Sequence, residues 1–321
     1  MSRPVFVCVP GASHSHLIYE PLRASLAYYG YTAYPLALPS VGGNPPTYDF
    51  TEDVRAIRNL CAELADSGQD VILVMHAYGG LPGGEALWGL GRGERAQRGL
   101  RGGVIRLVFI MSWLAVEGFQ GSPRGDVTGM FPYMRCDLRV SFLNSTSSLK
   151  SLFPQKGLPR RLPFRVLRYF TTEWRPEEQK RAISQDSSGL VMSKGARVFL
   201  TVFQRGITTI DPRQARAVFY NDMPRAEADY WTSQLLPQSI GVFWSQTTYA
   251  SWRYIPTTYV LCGQDQCVTL PYAEMMLQTA SESRPNMIDT VERCEDGGHS
   301  IMLSRVEWTT NMLRRAAGEA A

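Results

Sequence analysis

A chain of 321 residues with 44% hydrophobic content can bury a sizeable core and is long enough for one large α/β domain with an insertion. No apolar run approaches the roughly 20 residues needed to span a bilayer, which excludes a membrane span. The net charge of +4 is modest and mostly arginine, so a nucleic-acid partner is not expected. The one basic cluster, Arg160, Arg161, Arg165 and Arg168, reads as a solvated helical face.

Six cysteines are scattered at positions 8, 61, 136, 262, 267 and 294, with neither zinc spacing nor a disulfide framework. Free thiols in apparent strands, as at Cys8 and Cys262, behave as small buried hydrophobes. The apolar stretch Val5 to Val9 is too short for a secretory signal, so a reducing, cytoplasmic setting is expected.

Pro4 to Val9 reads as the first core strand and runs into the loop Pro10-Gly11-Ala12-Ser13-His14. The next helix carries Tyr19, Leu22, Leu26 and Tyr29 and ends at Gly30, a C-cap by its position. Thr32 to Leu36 is the second strand. Asp49-Phe50-Thr51-Glu52 opens a helix with capping-box spacing, and Val54, Ile57, Leu60, Cys61 and Leu64 share one of its faces. Strand, helix, strand, helix, strand in succession predicts right-handed crossovers and a parallel sheet.

The third strand organises the chain. Val71 to Val74 is an unbroken apolar run, as in strands buried on both faces. His76-Ala77-Tyr78-Gly79-Gly80 follows, then the helix-compatible Glu85 to Trp88. Strand, sharp turn, helix is the setting of a nucleophile elbow, normally Gly-x-Ser-x-Gly. Here Met75 holds the first glycine position and Ala77 the nucleophile position, and a methyl group cannot attack anything.

Val104 to Met111 is a further buried strand. From about Gly118 to Tyr254 the rhythm breaks, with prolines at 154, 159 and 163 and no convincing core strand. This segment reads as an inserted, mainly helical cap at the carboxyl ends of the strands. The expected division is a core of 1–117 and 255–321, with a cap of 118–254. The α/β rhythm resumes with a strand at Thr257 to Cys262 and a helix around Tyr272 to Thr279. The last strand, Met287 to Val291, precedes Gly297-Gly298-His299 and a final helix with Ile301, Leu303, Val306 and Trp308.

Ala77, Asp265 and His299 therefore stand in the order nucleophile position, acid, histidine, each just past a strand's carboxyl end. In such a triad the histidine removes a hydroxyl proton, and the carboxylate fixes its tautomer and stabilises the imidazolium. Backbone amides stabilise the oxyanion, expected here from Ala12 and Tyr78. His76 is expected to orient the turn. His14 and His16 are expected at the surface or the pocket edge, and His14, Trp113, Trp231 and Trp244 are candidate pocket residues. Ser13, Ser15 and Ser112 lie on no strained elbow and are not replacement nucleophiles. No metal-ligand cluster and no phosphate-binding loop is read, so neither metal nor cofactor is expected.

Four stretches carry a family resemblance. They are Val9-Pro10-Gly11-Ala12, then Val74 to Gly80, then Phe219-Tyr220-Asn221-Asp222 with Pro237-Gln238-Ser239 and Thr248-Tyr249-Ala250, and last Cys262 to Pro271 with Gly298-His299. The chain resembles single-domain α/β-hydrolases related to plant methyl-ester esterases, and above all their fungal relatives. Met75 for the first elbow glycine and Pro10 for the histidine of a His-Gly pair both occur among those relatives. About Met130 to Ser193 carries no resemblance. The resemblance implies the α/β-hydrolase fold with about six core strands, and hydrolysis of small apolar esters, lactones or thioesters in natural-product pathways. A homodimer is compatible with it.

Alanine at 77 has two explanations. It is a serine substituted to hold substrate in an intact pocket, which is the expected one, or a natural alanine. By resemblance, plant methylketone synthases have alanine there and decarboxylate β-keto acids, so lyase or cyclase chemistry through His299 stands as an alternative. A ligand-binding protein that keeps the fold without turnover is a further one.

Overall fold

The structure is a computed structural model that describes residues 3–143 and 200–321. The arginine cluster and the three prolines read from the middle of the chain lie outside the described residues. By Cα proximity the chain divides into one unit of Met1–Leu138 with Arg205–Ala321 and a second of Arg139–Gln204.

Strand β1 (Val5–Val9) is buried along its whole length. Helix α1 (Glu20–Tyr28) buries Leu22 and Leu26, one turn apart, and Gly30 at φ +76° ends it. Strand β2 (Ala33–Pro35) is short. Helix α2 (Thr51–Asp66) buries Ile57, Cys61 and Leu64, spaced as one helical face requires. Asp53 is buried on the same helix. Strand β3 (Asp70–His76) is buried from Val71 onward. Helices α3 (Gly80–Glu85) and α4 (Arg92–Gln97) then lead to β4 (Gly103–Ile110). The helix after the elbow thus begins at Gly80 and ends at Glu85, earlier than the stretch read as helical.

Strands β5 (Met134–Leu143) and β6 (Leu200–Ile210) follow, with helices α5 (Pro212–Phe219) and α6 (Arg225–Ser233) and the two-residue strand β7 (Gln238–Ser239). Order β5-β6-β7 forms a small separate sheet, antiparallel between β6 and β7. The region read as mainly helical therefore also carries strands, and none of them joins the main sheet. Strand β8 (Thr257–Cys262), helix α7 (Leu270–Glu282) and strand β9 (Ile288–Cys294) complete the core. The single final helix expected is divided into α8 (Ile301–Ser304) and α9 (Val306–Ala316).

The main sheet runs β2-β1-β3-β4-β8-β9 and every neighbouring pair is parallel. One row crosses it through Tyr34, Val7, Leu73, Leu107, Thr257 and Ile288. Central strands covered on both faces must be apolar, as β1 is throughout and β3 is from Val71 to Met75. Edge strand β9 instead alternates exposed with half-buried residues up to Cys294. After β1 the chain turns to β2 on one side, and β3 returns on the other. Such a reversal leaves a crevice at the carboxyl ends of β1 and β3, where open parallel sheets bind ligands. The loops holding Ala12 and Ala77 leave from those two ends. Among the described residues no helix is long and apolar enough to cross a membrane.

Candidate active site

Ala77 directly follows β3 at φ +47°, in the left-handed region that non-glycine residues rarely adopt. Such a conformation costs about 1–3 kcal/mol and is retained where the surroundings fix it. Here the surroundings are tight. A Cβ on Gly11 would lie 3.2 Å from the Ala77 Cβ and 3.0 Å from His76 Nδ1, so the loop after β1 needs glycine to lie against the elbow. Ser112 at the end of β4 donates to the Ala77 carbonyl at 2.7 Å. Met75 is accommodated by Gly83 of α3, where a Cβ would fall 2.4 Å from the Met75 sulfur. The thioether fills the space that a side chain on α3 would otherwise occupy.

Asp265 lies in the turn after β8 and His299 in the turn after β9. Neighbouring parallel strands bring them together: His299 Nδ1 donates to Asp265 Oδ2 at 2.7 Å, with both side chains buried. Asp265 Oδ1 accepts from the amides of Cys267 at 2.7 Å and Val268 at 2.9 Å, so the carboxylate is anchored in its own turn. Burial opposes charge on His299, but the Asp265 carboxylate and then the Cys267 thiol outweigh it and raise the imidazole well above its ordinary range. With Nδ1 committed to Asp265, Nε2 is the nitrogen left for chemistry. Asp222 braces the histidine turn, accepting from the Gly298 amide at 2.7 Å and from Ser304 Oγ at 2.6 Å.

His76 Nε2 donates to the His299 carbonyl at 2.9 Å, while its Nδ1 has no partner among the described residues. Burial holds it well below the ordinary histidine range, so it is neutral and ties the elbow to the histidine turn. His14 is also neutral, lowered to about 4 by burial. Its Nδ1 donates to the Ala12 carbonyl at 2.8 Å, and its Nε2 accepts from Tyr220 Oη at 2.9 Å. It thereby fixes the Ala12 loop from behind.

A second network joins the two segments expected to supply oxyanion amides. Gln238 accepts from the Ser13 amide at 3.0 Å and donates to Ser40 Oγ at 2.7 Å. Ser40 donates through its amide to Asp53 Oδ1 at 2.9 Å and through Oγ to Asp53 Oδ2 at 2.5 Å. Tyr78 Oη donates to the same Oδ2 at 2.6 Å. Asp53 is fully buried, and burial raises its pKa above the ordinary carboxylate range. Glu85 at the end of α3 accepts from the amides of Thr248 at 2.7 Å and Tyr249 at 3.0 Å, which ties that stretch to the elbow helix.

A cavity of about 460 Å3, its mouth included, opens at this point. Ala12, Ala77, Tyr78, Trp113 and His299 line it together. Its other walls are mostly apolar and include Phe131, Met134, Ile210, Phe219 and Phe243, with Tyr133 and Cys267. His14 lies outside this cavity and is buried, not at the surface. It borders a second, smaller one of about 170 Å3 together with Trp231. Trp244 borders neither; it is buried, with Nε1 donating to the Asp126 carbonyl at 2.8 Å. Cys267, Tyr133, Asp53, Asp222 and Gln238 are site residues that sequence reasoning did not assign. Among the described residues no group of three or more His, Cys, Asp or Glu is placed to hold a metal ion.

The arrangement can bind a carbonyl compound with its oxygen toward backbone amides and pass a proton at His299, but it has no nucleophile on the elbow. Comparison with known proteins agrees with this fold. The model of the alpha/beta hydrolase family matches residues 6–310. The alpha/beta hydrolase nvfD of Aspergillus novofumigatus is 28% identical over 324 residues, covering 100% of this chain and 99% of its own length. A mutant of polyneuridine aldehyde esterase superposes with a TM-score of 0.63 at 12% identity, over 98% of this chain and 99% of that one. Tomato methylketone synthase I in complex with 2-tridecanone gives 0.59 at 14% identity, over 99% of each chain. From its sequence match and its fold alike, the chain belongs to the alpha/beta hydrolase family.

Proposed function

We propose that the cavity binds a small apolar ester, lactone or thioester, with the carbonyl oxygen on the amides of Ala12 and Tyr78 and with His299 and Asp265 as the acid–base pair. The observation that carries this reading is the 2.7 Å His299–Asp265 hydrogen bond at the wall of an apolar cavity that also reaches Ala77. Apolar walls with a few converging polar groups are what small-molecule sites need. Serine at 77 would complete a Ser-His-Asp hydrolase; alanine leaves the binding frame and the proton-transfer pair. Likeness to a fungal alpha/beta hydrolase over the whole chain supports a fungal hydrolase, and a place in natural-product pathways is part of the same proposal. Ala77→Ser should create esterase activity and covalent labelling by a phosphonate. A serine form that stays inert and unlabelled on aryl esters, lactones and thioesters contradicts the reading.

The methyl group of Ala77 favours a second reading. With no serine, His299 can still move a proton at a carbon beside the bound carbonyl, as decarboxylation of a β-keto acid requires. The likeness to tomato methylketone synthase I, one structure of which holds beta-ketoheptanoate, supports it. This reading predicts carbon dioxide release from medium-chain β-keto acids with Ala77 in place. A protein that only binds predicts neither activity, and Ala77→Ser is then silent.

A further inference from the structure

We propose that Cys267 is an acyl-accepting nucleophile of this cavity, served by His299. The inference rests on the reading of the cavity as a site for esters and thioesters. Of the six cysteines, Cys8, Cys61, Cys262 and Cys294 are buried in the core, and Cys136 does not border the cavity. Cys267 alone of the six lines it, beside His299 and together with Ala77, Ala12 and Tyr78.

One carboxylate fixes both partners. Asp265 Oδ2 holds His299 Nδ1 at 2.7 Å, and Asp265 Oδ1 holds the Cys267 amide at 2.7 Å. The thiol-bearing residue thus sits on the turn that orients the imidazole, two positions after the acid. The histidine is 1% exposed and its Nδ1 is engaged by Asp265, while the Cys267 thiol is among the groups that act on the ring. On the thiol's other side, Tyr133 Oη lies 3.0 Å from Cys267 Sγ, and the tyrosine is buried. The contact fixes the sulfur and provides a hydroxyl that can stabilise a thiolate.

Sulfur suits a position off the strained elbow better than oxygen does. A serine hydroxyl needs a base positioned to remove its proton, whereas a cysteine is already a few per cent thiolate at neutral pH and is intrinsically nucleophilic. The thiol proton is held on His299 Nε2, where Asp265 and Cys267 keep the imidazole raised against its burial, as the Cys267 sulfur bonds to the acyl carbon. The ester C–O or thioester C–S bond breaks, and His299 returns that proton to the departing alkoxide or thiolate. The products are an alcohol or thiol and an acyl thioester on Cys267. Water then gives a proton to His299 as it attacks the thioester, and Cys267 leaves as thiolate and recovers the proton.

The test incubates the full chain with p-nitrophenyl butyrate at neutral pH, quenches in acid and reads intact mass and peptide mass. The expected result is a single butyryl group on Cys267, released by hydroxylamine, with one equivalent of p-nitrophenol set free in the first turnover. Cys267→Ser should lose the adduct, and His299→Ala should slow its formation by about a hundredfold. The urea midpoints of the variants establish that both remain folded. An unmodified chain, acylation at another cysteine, or an unchanged rate in His299→Ala overturns the proposal. Its failure is distinguishable from failure of the underlying reading, because Ala77→Ser acylates at position 77 whether or not Cys267 reacts.

Discussion

At the scale of single residues, the site depends on polar side chains buried behind it. Tyr78 supplies one of the hydrogen bonds that keep the Asp53 carboxylate satisfied away from water. Tyr78→Phe should lower the free energy of unfolding by about 1–3 kcal/mol, the range for leaving a buried acceptor short of a donor. Urea unfolding reads this directly, and an unchanged midpoint contradicts the network. Asp53 was not legible as a site residue. An acid in the first turn of an amphipathic helix reads as a solvated partner of the helix dipole, and only the fold reveals that it points inward against Ser40 and Tyr78. Asp265 and His299 were legible because their chemistry depends on chain order and on turns just past strands. His14 was placed correctly in sequence, next to the Ala12 loop, yet Tyr220, whose hydroxyl holds it in the interior, lies 206 positions away.

His14 also sets a pH dependence. Burial lowers it to about 4 from an ordinary 6.5, so between those values the unfolded chain binds a proton that the folded chain does not. Stability therefore falls as the pH drops from 6.5 toward 4. His76, also lowered by burial, acts in the same direction. His299, raised by Asp265 against its burial, acts oppositely: its contribution is complete below 6.5 and is lost as the pH rises through its folded value. His14→Gln should flatten the acid-side loss by about one linked proton. Urea midpoints between pH 6.5 and 4 measure the slope, and identical slopes in parent and variant contradict the assignment.

At the scale of elements, the elbow shows how a departure from the usual pattern is absorbed. Met75 and Gly83 share one space, and Gly83→Val should destabilise by about 1–3 kcal/mol through overpacking. Met75→Ala should recover part of that loss, because the two sites are in contact and their effects do not add. Additive losses in the double variant would rule out this account of Met75. The main-sheet strands were legible because a strand covered on both faces is an unbroken apolar run. Strand β5 carries a different signal. Met134, Cys136 and Leu138 are half-buried and alternate with exposed Arg135 and Asp137, the period of a one-sided strand. A search for buried core strands passes over that alternation. The division of the last helix at Arg305, whose backbone leaves the helical region at φ −133° and ψ 49°, has no counterpart in the apolar spacing that predicted one helix.

At the scale of the whole molecule, the chain folds so that three strand ends, those of β3, β8 and β9, bring Ala77, Asp265 and His299 to one crevice from positions that together span more than two hundred residues. That convergence is a property of parallel topology, and chain order was enough to anticipate it. The cavity walls were anticipated only at Trp113, because an aromatic side chain in an irregular segment has the same appearance whether it lines a pocket or fills a core. Trp113 and Trp244 illustrate this, one at the cavity and the other buried beside Asp126. The central claim is that the frame of an acyl hydrolase survives around a missing nucleophile. The most direct measurement compares turnover of aryl esters, lactones and thioesters by Ala77→Ser with that of the double variant Ala77→Ser/His299→Ala. Turnover by the serine form, falling by on the order of a thousandfold without the imidazole, is the predicted result. Equal rates in the two variants, or no turnover by either, would contradict it.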